Sequence, residues 1–254
     1  MLVLEQRFPA TPGQRLFRAG FFLDFFWYTL FEGAVLGFVI GALIRVIDDG
    51  THWSRLELVS GWPVGLQLAF FWVTHDFYIY WFHRFQHKNR YLWRTHEAHH
   101  SGKDVDWLSG SRSHALEILI NQTIEYAPIV LLGAHPAVAA MKGMLDATWG
   151  MFIHSNIRIP MGALQYVLNG PEMHRWHHAC EEKREYNFAT KIALWDFLFG
   201  TAYRPGRAPE RFGLWGDPPF PQGYFAQQLW AFRPLPAGEP RPAPAPARPP
   251  GVAA

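Results

Sequence analysis

Four long apolar runs alternate with polar stretches along this chain. They cover residues 21–47, 61–82, 115–133 and 136–155. A helix needs about 20 apolar residues to cross a hydrocarbon core, and each run has nearly that length or more. Gly133-Ala134-His135-Pro136 makes a tight break between the last two runs, so they read as a helical hairpin. Trp27, Tyr28, Trp53, Trp62, Tyr80 and Trp81 fall near the ends of runs, where amphipathic aromatics settle at a membrane interface. The pattern predicts an all-α chain built on four transmembrane helices.

The polar stretches orient that bundle. Arg7, Arg15 and Arg18 precede the first run, Arg84, Lys88, Arg90, Arg94, Lys103 and Arg112 lie between the second and third, and Arg158, Arg175, Lys183, Arg184 and Lys191 follow the fourth. The opposite side keeps essentially Arg45 and Arg55, beside Asp48, Asp49 and Glu57. Positive residues stay in the cytoplasm, so both termini and the middle loop are expected there, in a multi-pass membrane protein. The first residues lack the pattern of a secretory signal. Polar residues also interrupt the runs: Asp24, Glu32, Asn121, Gln122, Glu125 and Asp146. Glu117, Asn121 and Glu125 recur every four residues and share one helix face, which is expected to turn into the bundle rather than toward lipid.

Composition narrows the function. The net charge of +2 gives no reason to expect nucleic acid as a partner. With one cysteine, Cys180, there is neither an internal disulfide nor a cysteine-built metal site. One domain is expected over 1–233, followed by a Pro/Ala-rich tail, 234–254, expected to be disordered.

The candidate chemistry lies in the histidines. His96-Glu97-Ala98-His99-His100 and His174-Arg175-Trp176-His177-His178 repeat one pattern, H-x-x-H-H. His83 and His87, four apart at the end of the second run, share a helix face, and His154 stands at the foot of the fourth run. The charge assignment puts all of them on one side of the membrane. Imidazole is a common ligand for iron, copper and zinc, and these rings are too many for one ion, so two metals held close together are expected. The bundle is therefore expected to carry a cytoplasmic helical cap with a His-rich di-metal site. All-nitrogen sites with open positions suit iron, and spacing leaves zinc, manganese and copper open. Two ferrous ions can activate dioxygen to attack an unactivated C–H bond. At the membrane surface such a site can take a lipid from the bilayer side and electrons from the cytoplasm. On that reading Asn121 and Glu125 flank the route of the lipid to the metals.

The segments HDFYIYWFHRFQH (75–87), WRTHEAHHS (93–101), FIHSNI (152–157), HRWHHA (174–179) and LWDFLFGTAY (194–203) resemble the fatty acid hydroxylase superfamily, often called the sterol desaturase family. The resemblance covers about residues 70–203. It implies an integral membrane, non-haem di-iron enzyme that hydroxylates or desaturates a lipid, with O2 as co-substrate. It further implies that His83, His87, His96, His99, His100, His154, His174, His177 and His178 bind two iron ions. A tenth ligand of the family is missing near His154, where Arg158 stands; His75, or a water held by Asn156, is the substitute.

Other residues have weaker claims. His75, eight residues from His83, reads more readily as a supporting residue than as a ligand. His114, in Arg112-Ser113-His114, is a candidate to orient a ligand imidazole, with interfacial hydrogen bonding the alternative. His52 and His135 read as loop residues, and Asp104 and Asp106 as solvated loop charges by default. Trp195 to Thr201 is expected to pack the cap, and Arg207 to Phe232 to form a flap on the bilayer surface or ordinary packing. With no nucleotide fingerprint and no haem-attachment motif, electrons are expected from a separate ferredoxin, cytochrome or flavin reductase. Hydroxylation is the leading reading and desaturation its nearest rival. A non-catalytic membrane metal-binding protein is the alternative from another class.

Overall fold

A computed structural model describes residues 1–180 and 185–234. The expected tail, 235–254, lies outside the described residues. Among those described the fold is helical, with only two isolated β-bridges, Pro9–Ile157 and Ala179–Phe212. After α1 (Leu2–Arg7), a π-helical stretch, Leu23–Glu32, runs straight into α2 (Gly33–Thr51). Then come α3 (Val64–Lys88), α4 (Arg90–His100), α5 (Ala115–Leu131) and α6 (Pro136–His154), followed by the short α7 (Pro171–His177), α8 (Leu194–Leu198) and α9 (Tyr224–Trp230).

The boundaries have local causes. Asn89 caps α4 by accepting from the amides of Tyr91 and Leu92, and His114 caps α5 by accepting from Leu116. His135 caps α6, whose first residue is Pro136. Gly133 supplies the left-handed turn of the α5–α6 hairpin, φ +68°, where a Cβ would also meet the Glu57 backbone at 2.8 Å.

The four long helical segments, 23–51, α3, α5 and α6, match the four apolar runs closely. Leu36, Ile40 and Ile44 of α2 pack on Ala127 and Leu131 of α5, and Phe71 of α3 packs with Ile129 and Val138 of the hairpin. Length and composition alone make one segment, Leu23–Thr51, apolar enough to cross a membrane. The others carry polar residues: Gln67, Asp76 and Lys142 are all buried. Apolar side chains point outward instead, among them Phe38, Val46, Phe70, Phe77, Ile124 and Met144.

At one end of the bundle, α4, α7, α8 and α9 close over the ends of α3 and α6. Asp76 ties this cap to α3 by accepting from the amides of Lys191 and Ile192, from the Thr190 hydroxyl and from Trp195 Nε1. Asp196 does the same within the cap, accepting from the amides of Phe188 and Ala189. The segment expected to pack the cap therefore does so through buried carboxylates as well as aromatics. Tyr224 and Gln228, both on α9, donate to Glu32 Oε2. The 207–232 region is thus anchored to the bundle, while Phe225, Leu229 and Phe232 remain exposed.

Candidate metal centre

Nine histidines meet where the cap closes on the bundle, and they sort into two groups. His83, His87, His96, His100 and His177 form one, and His99, His154, His174 and His178 form the other. Within each, the ligating atoms lie within 4.8 Å of one another.

The sorting follows helix geometry. Residues i and i+4 stand about 40° apart around a helix, whereas i+3 and i+4 stand about 100° apart. The outer pair of each H-x-x-H-H motif therefore stays together and the middle histidine turns away. His96 and His100 join one group while His99 leaves for the other. His174 and His178 join that second group while His177 crosses to the first. Each motif thus serves both groups and exchanges one ring with the other.

The outer nitrogens of five rings are held by acceptors. Nδ1 of His83 donates to Phe188 O (2.8 Å), that of His99 to Arg112 O (2.9 Å), that of His154 to Gly150 O (2.7 Å) and that of His177 to Tyr186 O (2.9 Å). His96 Nδ1 lies 3.0 Å from Glu117 Oε1, which accepts from it. A neutral ring that donates through Nδ1 presents a lone pair on Nε2. Yet His83 Nε2 and His96 Nε2 stand 3.0 Å apart, and His99 Nε2 and His154 Nε2 3.3 Å. Two facing lone pairs repel, and a metal cation between them would turn that repulsion into attraction. Two imidazole nitrogens bound to one ion at about 2.1 Å and a right angle stand about 3.0 Å apart, which matches. His100 Nε2 and His177 Nε2 are buried with no hydrogen-bond partner among the described residues. The donor set fits metal in both groups.

Burial supports ligation. It pushes His96 down to about 3 and His99 to about 4, and holds His100, His174, His177 and His178 well below the ordinary histidine value, with neighbouring imidazoles adding to the effect. The rings are neutral at pH 7, the form that binds metal.

The outer partners were only partly foreseen. Glu117, expected in a polar stripe, holds His96. We expect Glu117→Gln to lower metal affinity or turnover roughly 10–100-fold, as loss of such partners does, checked by chelator competition beside an activity assay. Gly110 was not foreseen: a Cβ there would lie 2.6 Å from His154 Nδ1, so only glycine lets the loop press on that ring. No sequence signal marks it.

The weaker candidates lie elsewhere. His75 stands with Glu125 and Asp146, apart from both histidine groups. Asn156 Oδ1 accepts from Thr11 N and its Nδ2 donates to Thr11 O, so its side chain pins the N-terminal segment. His114 Nε2 donates to Gln228 O rather than to a neighbour of a ligand ring, which favours its interfacial reading. Asp106 is no solvated loop charge: it is buried and accepts from Arg18 Nε at 2.8 Å. A cavity of about 230 Å³ reaches from His83, His96, His99, His154 and His174 into the bundle and is lined by both Asn121 and Glu125.

Known proteins share much of this sequence. The chain is 31% identical over 147 residues to ornithine lipid hydroxylase OlsE of Rhizobium tropici, covering 58% of this chain and 44% of that protein. It is 34% identical over 159 residues to alkylglycerol monooxygenase of Danio rerio, covering 61% and 34%. It is 29% identical over 161 residues to very-long-chain aldehyde decarbonylase GL1-8 of Oryza sativa subsp. indica, covering 62% and 60%. The chain thus spans less than two thirds of the length of each. No solved structure matches it. The fatty acid hydroxylase family pattern matches residues 68–201, more than half of the chain and a stretch that holds all nine clustered histidines. This chain belongs to the fatty acid hydroxylase family.

Proposed function

We propose that this protein hydroxylates an unactivated C–H bond of a membrane lipid, using O2 and a pair of iron ions. The facing Nε2 atoms of His83 with His96, and of His99 with His154, carry the reading, because a bound cation would make each of those contacts favourable. Five histidines hold one ion and four the other. The metal pair supplies activation of O2 for attack on carbon. The protein's residues do the rest. Glu117 and the carbonyls of Phe188, Arg112, Gly150 and Tyr186 fix the ligand tautomers. The cavity presents the lipid, with Ile79, Phe82 and Ile118 as apolar wall and Asn121 and Glu125 along its route. Tyr78 OH donates to Asn121 Oδ1 (3.1 Å), which orients that amide.

Four membrane-spanning segments are part of the proposal. Asp24, Gln67, Asp76 and Lys142 are buried inside the bundle while phenylalanine, valine and methionine cover its outside, the arrangement that lipid favours. The cap, the metals and both termini then face the cytoplasm, where a separate ferredoxin, cytochrome or flavin reductase delivers electrons. The relatives named for acting on ornithine lipid and alkylglycerol support a lipid as substrate.

Lipidomics of cells with and without this chain tests the reaction. A product with one added oxygen atom is expected. Loss of two hydrogens instead would make the enzyme a desaturase, and no change in any lipid would overturn the enzymatic reading.

A further inference from the structure

Three helices repeat one spacing beneath the metal centre. His83 and His75 on α3, Glu117 and Glu125 on α5, and His154 and Asp146 on α6 are each eight residues apart. Eight residues rise about 12 Å, so His75, Glu125 and Asp146 form a second polar layer at that distance from the metal layer. The cavity of about 230 Å³ is lined by residues of both layers.

A cation already occupies the second layer. Lys142, fully buried, donates to Glu125 Oε1 (2.6 Å), Asp146 Oδ2 (2.6 Å) and His75 Nδ1 (3.1 Å). An ammonium has no acceptor, so His75 Nδ1 accepts and the neutral ring carries its proton on Nε2. That Nε2–H has no hydrogen-bond partner among the described residues; Glu125 Oε2 lies 3.8 Å away. His75 is 9% exposed and lines the cavity. Asp146 Oδ1 likewise has no hydrogen-bond partner among the described residues, although it forms a long ion pair with Lys191 Nζ at 3.6 Å. The layer therefore offers one donor and one carboxylate acceptor that lack hydrogen bonds within a single cluster. Leaving such buried groups unmet is costly, so the cluster calls for a group that both accepts and donates.

We propose that this layer is a head-group subsite that binds a hydroxyl of the substrate, whose oxygen accepts from His75 Nε2 and whose hydrogen goes to Asp146 Oδ1. The inference rests on the lipid-oxidising reading and narrows it: the substrate is an amphiphilic alcohol, oxidised at a carbon about 12 Å from that hydroxyl. Other head groups fit less well. A carboxylate would add a third negative charge beside Glu125 and Asp146. An ammonium has no lone pair for His75.

The test compares 1-decanol, decyl methyl ether and decane as ligands of the metal-loaded full chain in lipid nanodiscs, by calorimetry. The ether accepts but does not donate. We expect decanol to bind roughly tenfold tighter than the ether, and the ether tighter than decane. His75→Phe should bring decanol and ether within about twofold of each other, and His75→Gln, which can accept from Lys142 and donate into the cavity, should restore most of the preference. Equal binding of decanol and ether by the unaltered protein overturns the subsite. So does an undiminished preference in His75→Phe, the mark of an alcohol held at the metal layer. If His75→Phe does not fold, the unaltered protein and His75→Gln decide. Lipid oxidation without any alcohol preference removes the subsite alone. An intact preference with no lipid oxidised removes the enzymatic reading instead.

Discussion

His177→Ala is expected to lower the metal content from about two ions per chain to about one or fewer and to abolish lipid oxidation. His177 belongs to the five-histidine group, although its own motif serves mainly the other. Its Nε2 is buried without a hydrogen-bond partner among the described residues, and its Nδ1 donates to Tyr186 O at 2.9 Å. Alanine removes a ligand outright, so the loss should exceed the roughly 10–100-fold expected of Glu117→Gln. The paired variant His174→Ala should act on the other group. Elemental analysis of the purified protein reads the metal, and product formation reads the activity. Full activity with unchanged metal in His177→Ala would refute the assignment of that ring. Occupancy by zinc instead of iron in an overexpressed sample would not, since availability helps decide which ion fills such a site.

Asp24→Ala is expected to cost about 3–5 kcal/mol of stability, the usual loss when one partner of a buried ion pair is removed. Asp24 is fully buried between two arginines: Arg18 Nη2 reaches its Oδ2 at 2.7 Å and Arg112 Nε its Oδ1 at 2.7 Å. Arg18 keeps Asp106 as a second partner, but among the described residues Arg112 keeps only the Ser101 hydroxyl at 3.0 Å. Alanine would therefore leave a buried guanidinium without a carboxylate. The damage should reach the metal centre, because the Arg112 carbonyl accepts from His99 Nδ1. Thermal unfolding in detergent is the measurement, and metal content at a temperature where the variant is still folded separates the two effects. A variant that unfolds with the parent would show that Arg112 finds another partner.

Much of the architecture is legible in the chain because it is local. An apolar run of about 20 residues fixes a long helix whatever surrounds it. Pro136 and Gly133 fix the hairpin by their own backbone restrictions. The nine clustered histidines announce metal chemistry through their number and spacing. The polar stripe on α5 is equally readable, since residues four apart share a helix face. Its individual roles are not: Glu117 holds the His96 ring, Asn121 is oriented by Tyr78, and Glu125 pairs with Lys142.

Lys142 shows where local reading ends. Alone in an apolar run it looks like an interruption, and its role depends on α3 and α5 bringing His75 and Glu125 to within 3.1 Å and 2.6 Å of its ammonium. The same holds for Gly110, whose missing side chain matters only because α6 delivers His154 against it.

The sequence by itself determined that four long helices form, that the histidines lie at helix ends and in short cap helices, and that their residue type and spacing suit metal. Only the tertiary structure decided which ring joins which group. Helical angle separates the middle histidine of each H-x-x-H-H motif from its outer pair by tens of degrees, but gives no destination for it. The destination exists because α4 and α7 meet across the end of the bundle, so that the ring each turns away falls into the other's group. Contacts between segments some 80 residues apart are set by packing, and no spacing along the chain encodes them.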